Sequence, residues 1–267
     1  MIRTYISFFR MRFLALLQYR ASAIAGMCTN WAFGMMRIMV MMAFYASADK
    51  AQPMSLEQAI TYTWLGQMLI GILPWNVDKD VSNSVVTGQV AYELTRPIDI
   101  YTMWYMRTLA YRIAPTLMRG IPMVFICTLL IPPQYRMHIP GGAALIAWLG
   151  SMFGAIVLSV AITSLMHAYV LIIQKVDGFT RLINALAELF SGMIIPLALL
   201  PDSMKVFLRF QPFAGVIDLP AQLFCGSLPP SAVWAVIASQ LAWSLVFICA
   251  GRAVTNYGLK KVVLAGG

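Results

Sequence analysis

The chain has 267 residues, of which 60% are apolar and only 11% are charged, less than half of the charged share of a soluble domain. A globule of this size cannot bury that much apolar surface, so the composition excludes a soluble, disordered, coiled-coil or disulfide-stapled protein and predicts an integral membrane protein. The net charge of +9 comes from basic residues that flank apolar stretches, which indicates contact with anionic lipid rather than with nucleic acid.

Residues 1–20 are predicted to form a basic amphipathic helix that lies in the membrane interface. Apolar residues recur along one side at helical spacing, whereas Arg3 and Arg10 fall on the other side. Arg12 and Arg20 interrupt the segment further. It therefore lacks the continuous apolar stretch of a signal peptide.

Six apolar stretches are candidates to cross a bilayer, which takes about 20 helical residues. They cover residues 21–46, 56–75, 108–131, 140–173, 182–200 and 232–254. None of them alternates apolar and polar residues as the strands of a β-barrel do. The predicted fold is an all-α integral membrane protein, a single domain of six transmembrane helices preceded by the interfacial helix.

Basic residues predict the orientation of these helices. With the N-terminus inside, 13 of the 19 Lys and Arg residues fall in inner segments or at inner helix ends, and four fall outside. The inner group includes Lys175 and Lys261, and the outer group includes Lys50. The positive-inside rule then predicts that both termini are cytoplasmic.

The largest inner segment, residues 76–107, is predicted to contain a short amphipathic helix. The helix starts with the acidic residues Asp78 and Asp80, and Val81 and Val85 form its apolar edge. Gly88 is a break at its C-terminal end. A charged elbow follows at Glu93 and Arg96, and Pro97 ends any local helix. The spacing fits docking to a soluble partner about as well as it fits an ordinary connecting loop.

The outer segment, residues 201–231, mixes prolines with Phe and Leu. That mixture predicts short broken helices that dip into the outer leaflet under cover of protein. Gly192 and Pro196 weaken the outer end of the preceding span, and Pro201 and Pro212 interrupt the outer segment itself. The sequence does not decide whether this kink moves during function or has no moving role.

Three charged residues fall within predicted spans, namely Arg37, Arg119 and Glu188. A charge at this depth costs about 2.5–3.5 kcal/mol unless it is paired or hydrated, so each is expected to face protein or a cavity. Our hypothesis is that Glu188 pairs with Arg37 or Arg119, either as a structural link or as a contact for a transported substrate. Gln67 and His167 are interpreted as minor polar members of the core.

Motifs of catalysis are absent from the sequence. There is no GxxxxGK[ST] loop for nucleotide phosphates and no HExxH pair for zinc, and the only two histidines, His138 and His167, are far apart. We predict no catalytic, cofactor-binding or metal site on this chain.

Four features together resemble the permease subunits of ABC-2 type transporters, the type V exporter fold, in the bacterial branch that keeps the ATPase on a separate chain. They are the basic N-terminal helix, residues 62–67 (YTWLGQ), residues 85–97 (VVTGQVAYELTRP), and Phe190-Ser191-Gly192 with Pro196, Pro201 and Gln211-Pro212-Phe213. Each motif is weak alone, but their order across the chain is specific.

The resemblance implies a division of labour in the bacterial inner membrane. Two permease chains, identical or paralogous, form a pathway in the lipid, and two separate P-loop ATPases bind ATP and Mg²⁺ below it; no nucleic acid is involved. The candidates for coupling to the ATPases are Arg10, Arg12, Asp78, Asp80, Val81, Val85, Gly88, Glu93 and Arg96. The candidates for an outer gate are Gly192, Pro196, Pro201 and Pro212. The substrate stays unidentified, and outward transport rests on the resemblance.

Two other functions compete with this interpretation. A stand-alone secondary transporter or channel would need inverted repeats or ion ligands near the membrane midplane. An integral membrane enzyme acting on lipid-linked substrates would need a polar cluster at one membrane face. The sequence shows little of either, and dependence on a separate P-loop protein would separate the exporter from both.

Overall fold

The computed structural model describes residues 2–48, 52–173 and 177–260, and this part of the chain contains helices and no strand. Its α-helices are α1 (Ile2–Leu17), α2 (Arg20–Ala46), α3 (Leu56–Met68), α4 (Lys79–Val86), α5 (Val90–Leu94), α6 (Ile100–Phe125), α7 (Gly142–Ile173), α8 (Asp177–Phe190), α9 (Asp202–Phe210), α10 (Asp218–Cys225) and α11 (Val233–Leu259). Lys50, Lys175 and Lys261, which enter the predicted charge asymmetry, lie outside the described residues.

Four helical stretches are long and apolar enough to cross a membrane. They are Arg20–Ala46, Ile100–Leu130, Gly142–Ile173 and Pro230–Leu259. They overlap the first, third, fourth and sixth predicted spans, so the chain is a multi-pass, all-helical membrane protein.

The prediction of six spans is not confirmed. The second and fifth predicted spans coincide with α3 and α8, which have 13 and 14 residues. At 1.5 Å per residue each helix is about 20 Å long, shorter than the hydrocarbon core of about 30 Å. The helix α3 gives way to a 3₁₀ turn at Ile70–Ile72. Gly192, with a φ of 79°, follows α8, and no continuous helix spans either stretch.

The long helix α7 forms the centre of the molecule. It packs against α11, α6, α10 and α4, and many of its buried residues are small, including Ala155, Ser159 and Ala161. Small side chains allow neighbouring helices to approach closely, as expected for helices packed within a membrane. At Gly154, for instance, the side chain of Gln240 on α11 occupies the space that a Cβ would need.

The first helix lies along α6. Tyr5 and Phe8 pack against the main core, and the Tyr5 hydroxyl accepts a hydrogen bond from the backbone N–H of Asp99 at 2.9 Å. Large apolar side chains on the rest of α1, such as Ile2, Ile6 and Met11, are exposed. This exposed apolar surface suits the membrane interface to which the sequence assigns the helix.

The chain after α8 runs through several short helices. After α9 it forms a 3₁₀ turn at Phe213–Gly215, then α10, then a second 3₁₀ turn at Pro230–Ala232. Of these, α10 is covered by α7 and α3, and Ala221 and Leu223 on it are fully buried. The structure therefore has broken helices in the segment where the prolines predict them.

Candidate functional site

An ion-pair cluster ties α1 to the beginning of α4. Arg12 Nη2 lies 2.9 Å from Asp78 Oδ1, and Arg12 Nη1 lies 2.5 Å from Asp80 Oδ2. The Asp78 side chain also caps α4, since its Oδ1 accepts from the Asp80 N–H at 3.0 Å. With only 1% of its side chain exposed, Asp78 depends on Arg12 to balance its charge.

Two buried side chains hold the chain immediately before α4. His167 Nε2 on α7 accepts a hydrogen bond from the backbone N–H of Asp78 at 2.9 Å. Arg112 Nη2 on α6 donates to the Asn76 carbonyl oxygen at 3.0 Å and to Thr163 Oγ1 at 2.9 Å. These contacts satisfy backbone groups that the break in the helix leaves free. His167 thus fixes the entry to α4, a role that the sequence alone does not reveal.

The segment that contains α4 and α5 has a buried face and an exposed tip. Val81, Val85 and Val90 belong to the main core, with α6 and α7 as neighbours. The tip consists of Val86, Thr87, Gly88, Gln89 and Tyr92, all of them exposed or partly so. Gly88 has a φ of 75°, and nothing lies within 4 Å of the position of a Cβ there. The helix therefore ends in a left-handed glycine that turns the chain at its surface.

The candidate coupling residues divide into three groups. Asp78, Val81 and Val85 are buried. Arg12 and Glu93 are half-buried in ion pairs, and Glu93 accepts from Trp104 Nε1 at 2.9 Å and from Arg107 Nη1 at 3.2 Å. Arg10, Asp80, Gly88 and Arg96 are exposed. Of the last group, Arg10, Gly88 and Arg96 are available to a partner, whereas Asp80 also pairs with Arg12. The other two groups join the tip to α1, α6 and α7.

A second polar cluster surrounds the break after α8. The carbonyl oxygens of Phe190, Gly192 and Met193 lie at or beyond the end of α8 and have no helical backbone donor. Side chains from three different parts of the chain donate to them: Gln211 to Phe190 at 2.8 Å, Tyr62 to Gly192 at 3.0 Å, and Arg37 to Met193 at 2.6 Å. Free carbonyls at membrane depth need partners of this kind.

Asp218, the first residue of α10, is the centre of this cluster. Its Oδ1 accepts from the Tyr62 hydroxyl at 2.7 Å and from the Leu197 N–H at 3.1 Å, and its Oδ2 accepts from Gln222 Nε2 at 2.6 Å. Burial raises the pKa of the Asp218 carboxyl to about 6, and the three hydrogen bonds oppose that rise. Asp218 is not among the residues predicted from the sequence, although an acidic residue within a mainly apolar segment was the available signal.

The four outer-gate candidates occupy different places around this break. The left-handed backbone of Gly192 fits against Asp218, and a Cβ on Gly192 would approach Asp218 Oδ1 to 2.9 Å and overlap the Tyr62 hydroxyl. Pro196 is buried and precedes the 3₁₀ turn at Leu197–Leu199. Pro201 and Pro212 precede α9 and the turn at Phe213–Gly215. The structure thus places Gly192 and Pro196 in the cluster, whereas the other two prolines bound α9.

The predicted pairing of Glu188 with Arg37 or Arg119 is not a direct contact, because among the described residues neither guanidinium lies within 4 Å of the Glu188 carboxylate. The charge of Glu188 does act on Arg37 at longer range, so an electrostatic pairing of these two residues stays a hypothesis. Arg37 instead bonds to the Met193 carbonyl oxygen. With the Gln67 amide oriented to suit its neighbours, Arg37 Nη1 also donates to Gln67 Oε1 at 3.0 Å. Glu188 is exposed.

The buried Gln67 links α3 to α2. Its backbone carbonyl accepts from Asn30 Nδ2 at 3.1 Å, and its amide in the same orientation donates to the Asn30 carbonyl oxygen at 3.3 Å. Gln67 is therefore a junction between helices rather than a minor polar member of the core.

A family model described as ABC-2 family transporter protein matches residues 32–266, which is most of the chain. The chain belongs to the ABC-2 transporter family. This confirms the resemblance drawn from the sequence motifs. Neither the curated proteins nor the solved structures contain a significant match to it.

An ABC-2 permease is the membrane component of an ABC transporter and normally works with ATPase subunits. The match begins at residue 32, so α1, with Arg10 and Arg12, precedes the matched region. The α4–α5 tip, the break after α8 and α10 all lie inside it. The link between Arg12 and Asp78 therefore connects a segment outside the matched region to one inside it.

Replacing Arg12 by Gln should destabilise this permease, because it leaves the buried carboxylate of Asp78 without its cation. We expect a loss of about 2–3 kcal/mol, less than for a fully buried pair because Arg12 is partly exposed. The measurement is the midpoint of thermal unfolding in mild detergent. Arg10→Gln, on the exposed side of the same helix, is the matched control. Equal midpoints for the two variants would show that the ion pair contributes nothing.

Gly192→Ala and Gly88→Ala should differ in cost, although both glycines have left-handed backbones. At Gly88 the new methyl group enters open space, so we expect only the backbone penalty of about 1–2 kcal/mol. At Gly192 the methyl group also collides with Tyr62 and Asp218, which raises the expected cost to about 3–4 kcal/mol. Thermal unfolding midpoints of the two variants measure this. A Gly192→Ala variant as stable as Gly88→Ala would contradict the packing described for Asp218.

Proposed function

We propose that this chain is the permease half of an ATP-driven exporter. Two permease chains, identical or paralogous, enclose the pathway, and two separate ATPase subunits that bind ATP and Mg²⁺ dock on the cytoplasmic side. The observation that carries this proposal is the exposed α4–α5 tip, which sits on a buried base joined to three helices.

The tip has the features of a mechanical contact. Its exposed residues include Val86 and Tyr92, with 55% and 77% of their surfaces accessible, and large apolar side chains of this kind favour docking to another protein. Its base is held by the core valines, by the Arg12 ion pairs, and by Glu93 on Trp104 and Arg107. A displacement applied to the tip would therefore move α1, α6 and α7 with it.

The arrangement of α1 supports the proposed orientation in the bacterial inner membrane. Because Arg12 contacts Asp78 directly, the N-terminal helix and the 76–107 segment lie at the same end of the molecule. Both are basic or charged segments that the positive-inside rule assigns to the cytoplasm. The contact is consistent with a cytoplasmic N-terminus and with ATPases that bind at this end.

The exposed polar face of α8 supports a pathway formed with a second permease chain. Arg181 and Glu188 are exposed, and Asn184 lies between them on the same side of the helix. Charged groups at membrane depth face protein or water rather than lipid. We assign this face to the interface with the second permease, where it would line the route of the substrate.

The tip variant Val86→Asp should prevent recovery of the ATPase with this chain. A charge at the centre of an apolar contact would have to be desolvated without a partner, which weakens binding by about 2–3 kcal/mol, or roughly a hundredfold. The measurement is a tagged pull-down from native membranes in mild detergent, with subunit stoichiometry by mass spectrometry. The wild-type chain should recover a P-loop ATPase in equal copy number.

Val206→Asp is the matched control for this experiment. Val206 is also exposed, at 68% of its surface, but it lies on α9 in the segment assigned to the outer side. This variant should recover the ATPase as the wild type does. If the wild-type chain recovers no P-loop protein, the exporter proposal fails in favour of a stand-alone transporter. If both variants recover the ATPase equally, the tip is not the docking site.

A further inference from the structure

A polar cavity of about 730 Å³ opens where α1 meets α2, between these helices and α6. Its wall includes Tyr19 and Ser22 at the junction of α1 and α2, Asn30 further along α2, and Tyr111 on α6. The volume is that of a small-molecule site. None of the contacts described above explains what fills it.

The charges around the cavity do not balance. Four cationic side chains line it, Arg12, Lys79, Arg112 and Arg119, against the two carboxylates of Asp78 and Asp80. Both carboxylates are already paired with Arg12. Among the described residues, no carboxylate lies within 4 Å of the other three cations. The cavity wall therefore carries two more cations than carboxylates, and both carboxylates are already in ion pairs.

Arg119 is the least satisfied of these cations. Its guanidinium packs against α2 at Gly26, where a Cβ would come within 2.5 Å of Cζ. Within the described part of the chain it makes no hydrogen bond, and its Nε is buried without an acceptor. Gly26 is six residues into α2, or about 9 Å from the helix start. A guanidinium at this depth offers donors to an acceptor that enters the cavity.

The position of the cavity indicates the kind of acceptor. The cavity opens at one end of a membrane-spanning helix, beside α1 with its exposed apolar residues Ile2, Ile6 and Met11. Its wall also contains the apolar side chains of Leu16, Ile70 and Met118. An occupant with a negative head and an apolar tail matches both parts of the wall. Phosphate is the anionic group that lies at this level of a membrane, and guanidinium groups bind it well.

We infer that this cavity binds the phosphate head group of an anionic amphiphile from the leaflet in which α1 lies. Arg119 is the principal contact, Arg112 and Lys79 supply further positive charge, and Tyr19 and Tyr111 border the head group. The amphiphile is either a resident membrane phospholipid or an anionic lipid-like cargo. The binding itself does not depend on the proposed exporter function.

The binding test uses the purified full-length chain in nanodiscs of phosphatidylcholine that contain a minor fraction of phosphatidylglycerol. Native mass spectrometry after transfer to detergent measures which lipid is retained. We expect the wild type to retain phosphatidylglycerol in preference to phosphatidylcholine. Arg119→Gln should weaken that retention by about tenfold or more, the value of a lost charge-assisted hydrogen bond.

Arg20→Gln is the matched control, because it removes the same charge at the same end of α2 from a residue that does not line the cavity. It should retain phosphatidylglycerol within about twofold of the wild type, since screened surface charge contributes little. Arg119→Lys should keep part of the affinity. If Arg119→Gln fails to fold, Lys79→Gln, at an exposed residue of the cavity wall, is compared with the wild type instead. Equal retention of the two lipids by the wild type, or no loss in the cavity variants, would overturn the inference.

A second arm separates the two sources of the head group. Proteoliposomes that contain the partner ATPase and a labelled phosphatidylglycerol are supplied with ATP. If the lipid is a cargo, the label appears in the opposite leaflet, and Arg119→Gln lowers the rate of its appearance. If the lipid is resident, it stays bound and the label does not move. Both results support the cavity, and only the first also supports transport of this lipid.

Discussion

The need to satisfy backbone groups in an apolar environment governs how this permease is assembled. At and just after the end of α8, three carbonyl oxygens have no helical donor, and water is not freely available to replace it. Arg37, Tyr62 and Gln211 supply the missing donors from α2, α3 and the turn before α10. One break in one helix therefore fixes the positions of three other parts of the chain.

The same constraint operates at the other end of the molecule. The chain leaves its helix after Ile72 and begins α4 at Lys79. His167 and Arg112 satisfy the backbone between them from α7 and α6. Asp78 then adds a charge that only Arg12 balances directly. A requirement for hydrogen bonds thus brings ionisable residues into the interior, and their partners become structural in turn.

The sequence predicts those features that depend on local pattern. Hydropathy identifies the four long helices, because a stretch of about twenty apolar residues has the length needed to cross the hydrocarbon core. Gly192 and Pro196 predict the weak outer end of α8, and Gly88 predicts the end of α4. The shortness of α3 and α8 is not predicted, because hydropathy measures the length of an apolar stretch and not whether its helix is continuous.

The features that the sequence does not predict are contacts between residues far apart in the chain. Tyr62 and Asp218 are 156 residues apart, and Arg12 and Asp78 are 66 apart. No local periodicity encodes such pairs. Arg37 shows the difficulty, because its hydrogen-bond acceptor is the backbone carbonyl of Met193 and not a carboxylate. A pairing of complementary side chains does not consider a backbone carbonyl that a helix break leaves without a partner.

The helix α7 gives the proposed exporter a physical route between its two polar clusters. It has 32 residues, and a continuous α-helix of that length extends about 48 Å. Near one end His167 holds the entry to α4, and near the other Trp148 packs edge-on against Phe224 of α10, with ring centroids 5.1 Å apart. Two sites joined to the same stiff element move together when that element shifts as a body. Coupling through α7 would then require only a displacement of the α4–α5 tip, and no relay of switching side chains.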